Sequence, residues 1–142
     1  MSVQQSGFQF QNPILTKSRY NINPKNSEGS YDEIRNIQTN VRVDRSRINE
    51  RRAIVALNLK MGTSTTQFEL EMEMQSSFRW DDSFEEKDIN NLLNQNAPAL
   101  LLSYMRPLVS QLTGYGFQSI KLPFIDFSKN TDSSSKSVDD KG

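Results

Sequence analysis

Phe68-Glu69-Leu70-Glu71-Met72-Glu73-Met74-Gln75-Ser76-Ser77-Phe78-Arg79-Trp80 alternates apolar and polar side chains over most of its length. Phe68, Leu70, Met72 and Met74 share one parity, and Phe78 and Trp80 return to it. Glu69, Glu71, Glu73 and Gln75 hold the other. Successive side chains of a strand point to opposite faces. The stretch therefore predicts a long strand with an apolar face and a ladder of three carboxylates behind it. A helix would scatter both sets around its circumference.

Upstream, Ala53 to Met61 is apolar on both parities, in part, and reads as a central strand. Gly62 to Thr65 then forms the turn of a hairpin. Ile37, Thr39, Val41 and Val43 alternate with Gln38, Asn40 and Arg42, a half-buried strand within 34–44. Arg45 to Arg52 is a charged connector, and Asn21 to Ser30 is a loop by composition. Phe8 to Tyr20 is a further strand, and Pro13 makes it an edge or bulged one because proline cannot donate to a ladder.

Downstream, Asp81 to Asp88 reads as an acidic turn, and Ile89, Leu92 and Leu93 as a short helical stretch. Asn94 to Ala97 looks like a helix cap, with Pro98 in the first turn. Leu100, Leu101, Tyr104, Met105, Leu108, Val109 and Leu112 follow at helical spacing. Pro107 should disturb one turn of that helix, and Gly114 and Gly116 should stop it. Phe117 to Phe127 is apolar and extended. From Ser128 the chain is almost wholly Ser, Asp and Lys, the composition of a disordered tail. The expected organisation is a loose segment 1–7, an α+β domain over 8–127 and a polar tail 128–142. The domain is a four-stranded antiparallel sheet with one long helix, plus a short one, on one face. A single helix cannot cover a sheet of that size, so apolar surface is left for a subunit, a ligand or a client.

The chain of 142 residues is 35% hydrophobic and 24% charged, and contains neither Cys nor His. Thiolate chemistry, Cys- or His-ligated metals and Ser-His-Asp catalysis are thereby excluded. Lys plus Arg equals Asp plus Glu at 17 each, unlike a general polyanion binder. The charge is split, however: residues 1–65 carry ten cations and five anions, residues 66–142 seven and twelve. Such halves mate between subunits, steer a charged partner, or are simply solvated faces. No apolar run approaches the ~20 residues that span a bilayer, and residues 1–10 show no signal peptide pattern. A cytoplasmic protein without nucleic-acid binding or membrane insertion is expected. Same-face carboxylates on one strand lie ~6.6–7 Å apart, too far to share one ion unaided, so Glu69, Glu71 and Glu73 read as a solvated face or an acidic docking surface. No metal, cofactor or catalytic residue is expected, and the Met residues read as core filler that also suits promiscuous binding.

The run from Asn96 to Phe127 resembles SecB, the protein-export chaperone family. Leu102-Ser103-Tyr104-Met105-Arg106 matches the family's Leu-Phe-Pro-Tyr-Ala-Arg-like stretch in order and spacing. Gly116-Phe117-Gln118-Ser119-Ile120-Lys121-Leu122-Pro123-Phe124-Ile125-Asp126-Phe127 matches its Gly-Phe-Pro-x-Leu-x-Leu-x-Pro-Val-Asn-Phe segment. Phe8 to Lys17 is similar to the family's first strand. The family's second helix has no counterpart in the sequence after Phe127.

The resemblance implies an ATP-independent holdase, not an enzyme, which binds unfolded polypeptides or preproteins and delivers them to the translocase ATPase SecA. It also implies a homo-oligomer, dimer or tetramer. By position, its client groove would be lined near Phe78, Trp80, Tyr104, Phe117, Leu122, Phe124 and Phe127, residues that would otherwise be plain core. Glu69, Glu71 or Glu73 would face SecA, with the register ambiguous by two residues. The alternative is a module dedicated to one client, such as one antitoxin, without an export role.

Overall fold

The computed structural model describes residues 7–24, 37–48, 50–63, 66–116 and 118–128. Phe117 and the tail from residue 129 onward lie outside them, as do all but Gly7 of the expected loose N-terminal segment.

Five antiparallel strands build one sheet: β1 (Phe8–Phe10), β2 (Ile14–Ile22), β3 (Gln38–Arg45), β4 (Arg52–Met61) and β5 (Phe68–Trp80). β5 lies between β4 and an edge that β1 and β2 share. β1 takes the far end of β5, with Phe8 opposite Trp80 and Phe10 opposite Phe78. β2 takes the near end, from Ile14 opposite Gln75 to Ile22 opposite Phe68. The two are halves of one bulged edge strand, broken around Pro13 where no N–H is offered. At the break, the Ser76 hydroxyl donates to the Gln11 carbonyl. That bond explains a hydroxyl in the apolar phase of β5.

The alternation that decided the fold is realised side chain by side chain. Phe68, Leu70, Met72, Met74, Phe78 and Trp80 are buried, while Glu69, Glu71, Glu73 and Gln75 are half-buried on the opposite face. β4 buries Ala53, Val55, Leu57, Leu59 and Met61 on the same side as the β5 core. Gly62 turns the hairpin at a φ of 75°, where an added Cβ would lie 2.0 Å from the Phe68 carbonyl oxygen. Only glycine fits that turn.

The helix differs from the expected one in where it starts. α1 (Glu86–Asn91), a π turn (Leu92–Asn96) and α2 (Ala97–Gly114) follow one another without a break. Asn96 has helical backbone angles and caps nothing with its side chain. Asn94 bonds the Asn90 carbonyl at 2.9 Å, within the helix rather than at its beginning. Ile89, Leu93, Ala97, Leu101, Met105, Val109 and Thr113 are buried, one every fourth residue. At 3.6 residues per turn such a stripe drifts ~40° per step. The wider π turn winds less per residue and takes back part of that drift, so α1 and α2 both stay on the sheet.

After the helix, residues 118–127 run as a strap that buries Ile120, Leu122 and Phe127. Thr113 pins its start: the hydroxyl donates to the Val109 carbonyl at 2.7 Å and accepts the Ile120 N–H at 2.8 Å. At the strap's end Phe127 and Ser128 have helical backbone, with the Asp126 carboxylate accepting the Ser128 N–H at 3.0 Å.

Candidate functional site

The described apolar residues singled out by the sequence for a groove fall into two depths. Phe78, Trp80, Leu122 and Phe127 are core, none more than 7% exposed. Tyr104 and Phe124 stand out at 40% and 82% exposure. The structure brings Phe78 and Tyr104 together through a residue not singled out as part of a groove, Phe10. Phe10 lies 6.1 Å from the Phe78 ring and meets Tyr104 edge-on at 6.4 Å. Phe8 stacks on the same Phe78 ring at 5.5 Å. Phe10 and Leu15 are themselves 41% and 42% exposed. The broken edge strand and α2 thus frame an apolar margin whose floor is Phe78. Phe124 projects from the strap beside Pro123, whose carbonyl accepts from Arg106 of α2 at 3.1 Å. The signal for Phe10 was its parity in the first strand, which the proline break obscures.

Trp80 belongs to a different neighbourhood. The Arg45 guanidinium covers its ring at 5.4 Å and is itself held by Glu86. Arg45, Ser46, Glu50, Arg51, Phe84 and Ile89 line a polar-rimmed concavity of about 450 Å³ with it.

The helix-free face carries the carboxylate ladder. The Asn58 amide donates to Glu71 at 3.0 Å and to Glu73 at 3.1 Å. Lys17 lies 3.4 Å and Lys60 4.0 Å from Glu71, and Arg42 lies 3.8 Å from Glu73. The Asn58 hydrogen bond holds the Glu71 carboxyl below its ordinary range; burial opposes this in part, and Lys17 and Lys60 add to it. The strand register places Lys17, Arg19, Arg42, Arg52, Lys60 and Arg79 on this face against Asp44, Glu69, Glu71 and Glu73. The ladder is embedded among cations, and the face as a whole is not acidic. Around it, Gln38, Arg42, Asn58, Lys60, Glu71 and Glu73 surround an open polar concavity of about 260 Å³. No group of three acidic side chains converges as a metal site among the described residues, and no described helix is long and apolar enough to cross a membrane.

An antiparallel sheet roofed by one long helix, with an apolar margin open between helix and edge strand, defines an α+β scaffold of the SecB kind. A family model described as preprotein translocase subunit SecB matches residues 21–133. The chain belongs to the SecB family. The fold is similar to that of a SecB-like chaperone from Mycobacterium tuberculosis, solved with a peptide from an antitoxin. That match has a TM-score of 0.58 at 13% identity, covering 83% of this chain and 90% of that one. A Streptococcus agalactiae protein of unknown function is similar too, with a TM-score of 0.51 at 14% identity, over 85% of this chain and 100% of that one. No curated protein matches the sequence.

Proposed function

We propose that the chain is an ATP-independent holdase that keeps unfolded or precursor polypeptides from aggregating in the cytoplasm. The carrying observation is the apolar margin in which Phe10, Leu15 and Tyr104 stay about two-fifths exposed beside a core ring. Such surface is costly to leave in water unless a partner covers it. In this reading Tyr104 and Phe124 are the groove's contact residues, Phe78, Leu122 and Phe127 are the core that holds them, and Trp80, under Arg45, stands apart from the groove. Phe117 joins the set by sequence alone. Client segments would bind promiscuously and with modest affinity, since each must be ordered on binding. Nothing in this activity requires a cofactor or a catalytic step.

Family membership supports the reading, and its export form adds delivery to SecA. Assembly into a dimer or tetramer would cover part of the remaining apolar surface, and light scattering checks it. The experiment on the function itself is suppression of aggregation of a reduced, unfolded test protein, without ATP. Full suppression near stoichiometric ratios is expected; none at several-fold excess would remove the proposal.

A second reading is favoured by one observation, the fold likeness to a chaperone solved with an antitoxin peptide. The chain would then serve one client, without an export role. Affinity capture from lysate separates the two: a single dominant partner supports the dedicated module, and many weak ones support the holdase.

A further inference from the structure

Ile54 stands on the helix-free face of β4, a strand paired on both sides, and is nonetheless 41% exposed. The register sets it opposite Asp44 of β3 and Ser77 of β5. Its other neighbours on the face are two positions along its own strand, at ~6.6–7 Å, or diagonal to it, at ~7–8 Å. Three of these places hold arginines: Arg52 on β4, Arg42 diagonally on β3 and Arg79 diagonally on β5.

The three cations are poorly matched. Arg42 lies 3.8 Å from Asp44 and 3.8 Å from Glu73. Arg79 is fixed by a neutral group, the Gln9 side-chain oxygen, which accepts at 2.9 Å from Nε and 2.7 Å from Nη2. Arg52 is the register partner of Arg79, is exposed, and takes part in no salt bridge among the described residues. Like charges directly opposite one another destabilise a sheet. Around Ile54, three guanidinium groups thus face the single carboxylate of Asp44. The ladder nearby does not offset them at the surface. Glu71 and Glu73 lie low, with side chains 14% and 17% exposed, beneath Lys60 and Arg42 at 56% and 54%.

We infer that this patch docks a partner polypeptide that presents a large apolar side chain between acidic ones. The apolar group sits on Ile54, and Arg42, Arg52 and Arg79 grip the carboxylates around it. Planar guanidinium groups hold carboxylates through paired hydrogen bonds, and a central apolar contact ringed by polar ones excludes water from both. A carboxylate brought to Arg52 also relieves its repulsion from Arg79. The partner arrives from above the face, on the side of the sheet away from the helix and the apolar margin. The inference is therefore separate from the holdase reading and can fail without it.

The test uses the full chain and a short labelled peptide with acetyl and amide ends, in which Leu is flanked on both sides by Asp and Glu. Fluorescence anisotropy at low salt should show it bound about fivefold more tightly than a version with Ser for Leu, or one with Asn and Gln for the acids. High salt should weaken this binding. Ile54→Thr and Arg52→Gln should each abolish the preference, whereas Tyr104→Ser, on the other side of the sheet, should keep it. Arg52→Glu should favour a peptide with Lys in place of the acids. Both positions are exposed, Thr keeps the β-branch of Ile, and circular dichroism verifies that the variants stay folded. Ile54→Thr should suppress aggregation as well as the parent chain does. Absence of peptide binding, equal affinity for the Leu and Ser peptides, or a preference that persists in both Ile54→Thr and Arg52→Gln overturns the inference and leaves the holdase standing. Tighter binding of a single-stranded oligonucleotide than of the peptide overturns it too, since charge alone would then explain the patch.

Discussion

Asn58 shows how one side chain decides the character of a face. Glu71 and Glu73 sit two residues apart on β5, and the single amide of Asn58 on β4 donates one N–H to each. Two acceptors of like charge become a shared site because both are bonded and flanked by Lys17, Lys60 and Arg42. Glu71 consequently keeps its proton less readily in the folded protein than at its ordinary value of 4.5. A carboxyl lowered in this way contributes stability that is fully present above the unfolded value and disappears as pH falls through the folded one. Glu71→Gln should therefore cost about 1 kcal/mol at neutral pH and less near pH ~3. Urea unfolding at the two pH values checks this; an equal cost at both would mean that the charge is irrelevant. The ladder itself was legible, because parity along one strand is local. Its cations were not, since Lys17, Arg42 and Lys60 arrive from three other strands whose register no local pattern states.

At the scale of the element, the helix was legible in existence and misread in extent. Asn94 to Pro98 carries the residues of an N-terminus, yet the chain is helical throughout it. Local capping preference lost to burial: Ile89, Leu93 and Ala97 continue the four-residue stripe of α2 onto the sheet. Pro107 lies inside α2 at an exposed position, where it removes one main-chain hydrogen bond. Pro107→Ala should raise stability by about 1–3 kcal/mol with an unchanged denaturant slope; a neutral or negative effect would show that the turn carries no such strain. The strap offers the opposite case. Thr113→Val keeps volume and burial but orphans the Ile120 N–H. It should cost about 1–3 kcal/mol and speed amide exchange in residues 118–122. Unchanged exchange there would detach the strap from the helix end. Nothing in a Thr within an apolar stripe announces that role.

For the molecule as a whole, the opposite charge of the two sequence halves is spent in part inside the chain, in pairs such as Lys17–Glu71, Arg42–Glu73 and Arg45–Glu86. Net charge and order along the sequence cannot tell this from patches that mate between subunits. The apolar residues pose the same difficulty: Trp80 and Phe124 look alike in sequence, and only the assembled sheet puts one at 5% exposure and the other at 82%. That contrast permits a test in which stability and function separate. Phe124→Ser removes little buried area and should leave stability within about 0.5 kcal/mol, while Tyr104→Ser should cost about 1 kcal/mol through its contact with Phe10. The double variant should lose most of its ability to suppress aggregation while remaining folded. Ile48 is the control, 99% exposed in the connector between β3 and β4, two strands across the sheet from β1. Ile48→Ser should suppress aggregation as well as the parent chain, because a lone exposed side chain offers a client no continuous surface. If Ile48→Ser lost as much activity as the double variant, exposed apolarity in general would be responsible, and the margin between the edge strand and the helix would have no special claim to the client.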